Sequence, residues 1–293
     1  MKSILITGGS GLVGSNVAKF FNNKGYKIFT VDLKESSFNN HIVCDLSKKE
    51  NLVKLPEKVD YVFHFAAHVD EKDENKEYLL RNNVLSTLNV LEYALKNKVE
   101  KVVYSSSSAV YGKTEEYPIK EDFSKKPQSI YGISKYFGEE LCNLYRKRGL
   151  QIISFRLGYV LAPVIPERYF IYRIMKKLNN NECITITNGV KNSMSFVDVE
   201  DIGAFCEEGL NKDLTGNFNL TGQREVNSKE VIDLLVKMFK EYSGEIKEEE
   251  NNSIMRNCFS NERLYSTFNQ RYRLGIEDSL NRIVASFKDG LTE

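Results

Sequence analysis

Residues 4–15 read I-L-I-T-G-G-S-G-L-V-G-S, an apolar run that enters three glycines, Gly8, Gly11 and Gly14, and leaves as a helix. No other feature limits the fold as much. Gly8 permits a tight turn, Gly11 lets the backbone approach a pyrophosphate, and Gly14 lets the helix lie close on the strand. The loop also carries Ser10, and the amides opening the helix around Leu12 and Val13 face phosphate oxygens, whose charge the helix dipole favours. A glycine triplet alone also fits an ordinary structural turn, so its surroundings matter.

A second β-rich run, 27–31, ends in Asp32, and a third ends near Asp45 and Leu46. A carboxylate at Asp32 accepts hydrogen bonds from both ribose hydroxyls of an adenosine and repels a 2′-phosphate, so NAD is expected over NADP; Lys34 softens that preference without reversing it. Asp45 is placed to reach the adenine amino group. In all, strands are predicted at 3–7, 27–31, 41–43, 61–65, 101–105 and 151–155, alternating with helices at 13–23, 48–54, 77–96 and 133–148. Such alternation predicts an α/β fold, a Rossmann-type doubly wound parallel sheet. After Gly158 it breaks into a smaller mixed lobe, with helices near 169–178, 199–210, 228–242 and 276–288, a strand at 195–198, and an acidic loop at 244–252. The predicted division is a dinucleotide-binding domain over 1–158 and a substrate-binding lobe over 159–293, interleaved around 190–205.

Composition narrows the function classes. A net charge of +1 leaves no basic excess for phosphate neutralisation, so nucleic acid is not an expected partner. No apolar run reaches the ~18–20 residues needed to cross a bilayer, and no secretory leader is visible, so a cytoplasmic protein without membrane contact is expected. Cys44, Cys142, Cys183, Cys206 and Cys258 form no C-x-x-C pair, which reads as buried reduced thiols with no metal.

Tyr131-Gly-Ile-Ser-Lys135 places a phenol and an ammonium at i and i+4 on one helical face. A phenol titrating near ~10 becomes a base at neutral pH only if a neighbouring positive charge favours the phenolate. Lys135 supplies one. Residues 104–112, Y-S-S-S-S-A-V-Y-G, bring hydroxyls, Ser105 among them, to the carboxyl end of the fifth strand, where ligands of parallel sheets bind.

With these motifs, and with His64-Phe65-Ala66-Ala67, Asn82-Asn83-Val84, Phe196-Val197-Asp198-Val199-Glu200-Asp201-Ile202 and 216–219, the chain resembles the extended short-chain dehydrogenase/reductase group. This is the NAD-dependent epimerase/dehydratase family, and the likeness is to its UDP-glucose 4-epimerase-like enzymes. The resemblance implies Ser107 as the substrate-orienting hydroxyl, Tyr131 as base and Lys135 as its support. It implies Phe65, Ala66 and Ala67 along the cofactor, Asn82 or Asn83 nearby, and a homodimer paired through 77–96 and 136–148. His64 and His68 are not expected to transfer protons, since Tyr131 fills that role.

Dehydratases of this kind carry Asp-Glu after the catalytic hydroxyl residue; here Ser108 and Ala109 stand there, which disfavours dehydration. Neither Cys nor His lies beside Ser107, as enediol epimerisation would require. What remains is a nucleotide-sugar epimerase or reductase working by hydride transfer. The family's diphosphate-contacting Asn is missing near Gly158 and Tyr159, and its phosphate-binding Arg aligns with Met194; Lys191, Arg168 or Arg173 could supply that charge. The C-terminal family signature is degraded to Leu274-Gly275-Ile276-Glu277. Two alternatives stay open: a dehydrogenase or reductase of a non-nucleotide alcohol or ketone, and a non-catalytic dinucleotide sensor.

Overall fold

The computed structural model describes residues 1–69 and 75–290. Strands β1 (Ser3–Thr7), β2 (Lys27–Asp32), β3 (His41–Val43), β4 (Tyr61–His64), β5 (Lys101–Ser107) and β6 (Ile152–Leu157) are joined by helices α1 (Leu12–Asn23), α2 (Lys76–Leu80), α3 (Ser86–Lys96) and α4 (Ile130–Lys147). Then come β7 (Tyr159–Leu161), α5 (Phe170–Asn179), β8 (Ile184–Thr187), β9 (Ser193–Asp198), α6 (Val199–Leu210), β10 (Gly216–Leu220), β11 (Glu225–Asn227), α7 (Ser228–Met238), β12 (Ile246–Glu249), α8 (Glu262–Thr267) and α9 (Ile276–Lys288).

The main sheet has the order β10-β6-β5-β4-β1-β2-β3 with every pairing parallel. The order in which strands are added reverses between β1 and β4, so a crevice opens at their carboxyl ends, where the predicted glycine loop sits. Both faces of the sheet are covered, which is why its strands are apolar at consecutive rather than alternate positions. Ile4 and Ile6 enter a core with Val17, Phe21, Phe63 and Phe205, while Leu5 between them enters the opposite core with Val62, Val90 and Val102. A third core, around Met175, Leu235 and Ile283, holds the smaller lobe together. That lobe carries a three-stranded sheet, β11-β9-β7, and a two-stranded one, β12-β8.

Several local expectations need correction. The acidic 244–252 stretch is not a plain loop: Ile246–Glu249 forms β12, parallel to β8. All four of its residues are exposed, and charged side chains on such an edge discourage pairing with another chain. Lys229–Glu248 and Lys191–Glu250 ion pairs tie the segment down. The helix predicted to reach 242 stops at Met238, and residues 49–54 form a 3-10 turn. Helix 77–96 is interrupted by a π turn at Arg81–Leu85. Of the cysteines, Cys44, Cys142 and Cys206 are buried, whereas Cys183 is exposed and Cys258 half-buried. Among the described residues no helix is long and apolar enough to cross a membrane.

Candidate active site

Gly8 lies at φ +71°, and a Cβ there would sit 2.7 Å from the Ala66 amide nitrogen, so β4 can approach β1 only past a bare backbone. Gly14 is tighter still: a Cβ would come within 2.1 Å of the Gly8 carbonyl oxygen. The Gly11 amide donates to the Gly8 carbonyl at 3.0 Å, closing the loop. Helix α1 then starts with no capping side chain and no acidic residue in its first turn, leaving the amides at Leu12 and Val13 to an outside acceptor.

Asp32, at the end of β2, accepts from the Ser10 amide at 3.1 Å and from the Lys34 amide at 3.2 Å. The Ser10 hydroxyl donates to the Lys34 and Glu35 carbonyls, so the loop and the acidic residue form one unit. A carboxylate has about four acceptor positions, which leaves Asp32 room for ribose hydroxyls. The residues present therefore fit a dinucleotide. Asp45 caps its own turn, accepting from the Ser47 amide and hydroxyl at 3.0 and 2.6 Å. Leu46 is buried, and its carbonyl accepts from Asn89.

After β4 the chain passes Phe65, buried, Ala66, whose amide donates to the Thr7 hydroxyl at 3.1 Å, and Ala67, exposed. Asn82 and Asn83 differ sharply. The Asn82 amide bonds the Tyr78 carbonyl of its own helix. Asn83 is buried and ties the His68 backbone in both directions, at 2.7 and 3.0 Å, while donating to Ser134 of α4 at 2.9 Å. His68 is exposed, its ring meeting Tyr78 edge-on. His64 is buried with its nitrogens 2.7 Å from Thr7 Oγ1 and 2.9 Å from Thr87 Oγ1. Burial, with a smaller push from Lys135, holds His64 down at about 3, so it is neutral and structural.

Ser107 closes β5, accepts from the Ala109 amide and lies close enough to influence the ionisation of Tyr131, which stands in the first turn of α4 behind the Ser129 cap. One turn later Lys135 is buried; its ammonium donates to the Ser105 carbonyl at 2.7 Å and lies 5.9 Å from the Tyr131 ring centre. Desolvation pushes the Tyr131 phenol up to about 12, against a smaller lowering influence of Ser107, and pushes Lys135 down to about 7. Both shifts favour the uncharged forms. A positive charge arriving beside Tyr131 would work in the other direction.

Met194 is buried in the core of the small lobe, so no cation replaces it at its own position. Lys191 is engaged with Glu250 at 2.7 Å. Arg173 is exposed on α5, and Arg168 lies 5.6 Å from the ring centre of Tyr169, which is close enough to Tyr131 to influence its ionisation.

Sequence reasoning missed a buried network beneath this set. Arg156 of β6 and Glu139 of α4 form a two-pronged ion pair, 2.8 and 2.7 Å, with both side chains 2% exposed. Two signals pointed there: an arginine inside I-I-S-F-R-L, a strand otherwise built for a core, and a glutamate four residues after Lys135.

A family model described as the NAD dependent epimerase/dehydratase family matches residues 4–220. A protein of Methanocaldococcus jannaschii, provisionally named a UDP-glucose 4-epimerase, is 35% identical over 215 residues, covering 68% of this chain and 70% of its own length. The solved UDP-glucose 4-epimerase of Thermotoga maritima, with UDP-glucose, superposes with a TM-score of 0.86 at 22% identity, covering 98% of this chain and 99% of the other. An NDP-hexosamine 5,6-dehydratase of tunicamycin biosynthesis superposes almost as well, with a TM-score of 0.85 at 20% identity over 99% and 98% of the two chains. At such identities the likeness speaks for the fold, and one fold here hosts two reactions. The span of the family match and the archaeal relative are decisive for descent: the chain belongs to the NAD dependent epimerase/dehydratase family.

Proposed function

We propose that this enzyme epimerises a nucleotide sugar through a transient ketone, using NAD held by the glycine loop, Asp32, the 65–67 segment and Lys135. The carrying observation is the convergence of Ser107, Tyr131 and Lys135 at the carboxyl ends of β5 and α4's first turns, with Ser108 and Ala109 where dehydration would want acids. When bound, NAD⁺ supplies the hydride acceptor and a positive ring. Ser107 aligns the substrate oxygen, Tyr131 takes the hydroxyl proton and later returns it, and Lys135 favours the phenolate in between. Asp45, Leu46, Asn82 and Ser105 complete the proposed cofactor contacts.

Thermal-shift measurements with NAD, NADP and UDP-, GDP-, CDP- and dTDP-sugars test this. NAD should stabilise the protein, and at least one nucleotide sugar should add to that. Stabilisation by NAD alone would favour the second reading, a non-nucleotide alcohol or ketone, which draws on the buried Met194 and on Tyr159. No response to NAD would overturn both.

We also propose a homodimer. Phe137 on α4 is 51% exposed, and with Leu80, Arg81, Val84 and Leu85 it lines a shallow apolar depression of about 340 Å³. An exposed apolar strip shared by two neighbouring helices suits a four-helix bundle between two copies. Light scattering should give twice 33.7 kDa. Phe137→Glu should shift the population toward monomer, and a wild-type monomer would refute the pairing.

A further inference from the structure

Tyr111 and 216–219 belong to the sequence landmarks, yet neither they nor the buried Arg156 has a part in the proposed reaction. The structure brings them together around Glu139. Tyr131, Lys135 and Glu139 are spaced i, i+4, i+8 along α4, so Lys135 and Glu139 are neighbours on one face, with Cβ atoms about 5–6 Å apart in a regular helix. Glu139 nevertheless turns away from Lys135. Its carboxylate accepts from Arg156 Nε and Nη2 at 2.8 and 2.7 Å, from the Ser106 hydroxyl at 2.5 Å and from Asn217 at 3.1 Å. Its acceptor positions are filled.

Arg156 is aimed as firmly. Its Nη1 donates to the Tyr111 hydroxyl at 2.7 Å and to the Glu121 carbonyl at 2.8 Å, and Tyr111 in turn donates to Asn219 at 2.6 Å. A guanidinium fork matches a carboxylate on two prongs, which a single ammonium cannot do.

We propose that Arg156 is a positioning residue, whose hold on Glu139 keeps that carboxylate from closing onto Lys135 one turn away, so that the Lys135 ammonium stays available to Tyr131. Lys135 otherwise faces Tyr131 and Cys142 from its own helix, Tyr104 and the Ser105 carbonyl from β5, and His64 from β4. None of these groups carries a negative charge at neutral pH: burial raises Tyr104, Tyr131 and Cys142 and keeps His64 neutral. A Glu139 released from Arg156 would therefore be an added anion in a low-dielectric pocket, where an opposite charge typically moves a titration by about 1–3 units. Lys135 would be captured as an ion pair, with less of its charge left for the phenolate.

The inference rests on the assignment of Lys135 and Tyr131 above, but its test needs neither NAD nor substrate. Protein carrying ¹³C-labelled lysine is titrated by NMR, with the Lys135 signal assigned by its loss in Lys135→Met. Arg156→Met should raise the Lys135 midpoint by at least about one pH unit, and Arg156→Met combined with Glu139→Gln should return it to the wild-type position. Glu139→Gln alone should leave it within about half a unit, because the wild-type carboxylate is already occupied elsewhere. A simple structural role predicts no such return in the double variant. An unmoved midpoint in Arg156→Met overturns the proposal, as does a fall of a unit or more in Glu139→Gln, which would mean that Glu139 already acts on Lys135. Should Arg156→Met fail to fold, as removing one partner of a buried pair can cause, Arg156→Gln, which keeps a buried hydrogen-bond donor but no charge, replaces it in both the single and the double variant, with the same rise and return expected and an unmoved midpoint overturning the proposal.

Discussion

Tyr131→Phe should reduce turnover at least ~10²-fold, the usual scale for removing a positioned general base, while NAD affinity stays within a few-fold. The substitution deletes one oxygen and leaves the ring that helps to desolvate the site. Ser107 is close enough to lower the Tyr131 phenol, so in the proposed mechanism both residues can address one substrate oxygen. Burial holds its phenol up at about 12 even with Lys135 one turn away, five units above neutrality, where only a trace is ionised. In the proposed mechanism the cofactor's positive ring must therefore add to the Lys135 charge to bring the phenol into range at neutral pH, and kcat/KM should rise with pH as the phenolate forms. The sign follows from the role: the base must be deprotonated, so activity is lost as pH falls through its working pKa. Steady-state kinetics with whichever nucleotide sugar stabilises the protein would measure both effects. Turnover close to wild type in Tyr131→Phe would remove this residue from the chemistry.

Local signals made much of this site legible in the sequence. The strand–glycine–helix order and the Tyr131/Lys135 spacing each lie within a dozen residues, and short-range geometry constrains both. What escaped depends on pairings across the chain. Arg156 and Glu139 are 17 residues apart on a strand and a helix, and nothing in either segment names the other. Asn82 and Asn83 are adjacent and chemically alike. Only the phase set by the π turn at Arg81–Leu85 turns Asn83 inward to Ser134 while Asn82 bonds along its own helix. Strand β12 was hidden for a different reason. I-K-E-E has the composition of a loop, and it becomes a strand because β8 offers an open edge and two lysines offset its charge. Tertiary context overrode local preference there, as it does most readily at sheet edges.

Gly14→Ala should weaken NAD binding by about 10²-fold and lower the melting temperature by several degrees. The added methyl carbon would stand 2.1 Å from the Gly8 carbonyl oxygen and 2.7 Å from its carbonyl carbon. Both are backbone atoms, so no side-chain rotation relieves the clash; either the loop or the helix must move. The loop is held by the Gly11 amide on the Gly8 carbonyl and by the Ser10 amide on Asp32. The helix is held from behind, since Val17, Ala18 and Phe21 are fully buried and a Cβ on Gly203 of α6 would already meet the Phe20 ring at 2.8 Å. Overpacking of this kind costs about 1–3 kcal/mol, and every 1.4 kcal/mol is about tenfold in affinity, so displacement of the α1 amides at the upper end of that range gives the expected loss. Calorimetric titration with NAD and a circular dichroism melt would measure the two consequences separately. Lys19→Ala, at an exposed position on the same helix, should change neither. Affinity for NAD unchanged within threefold in Gly14→Ala would show that the phosphates do not rest on the start of α1.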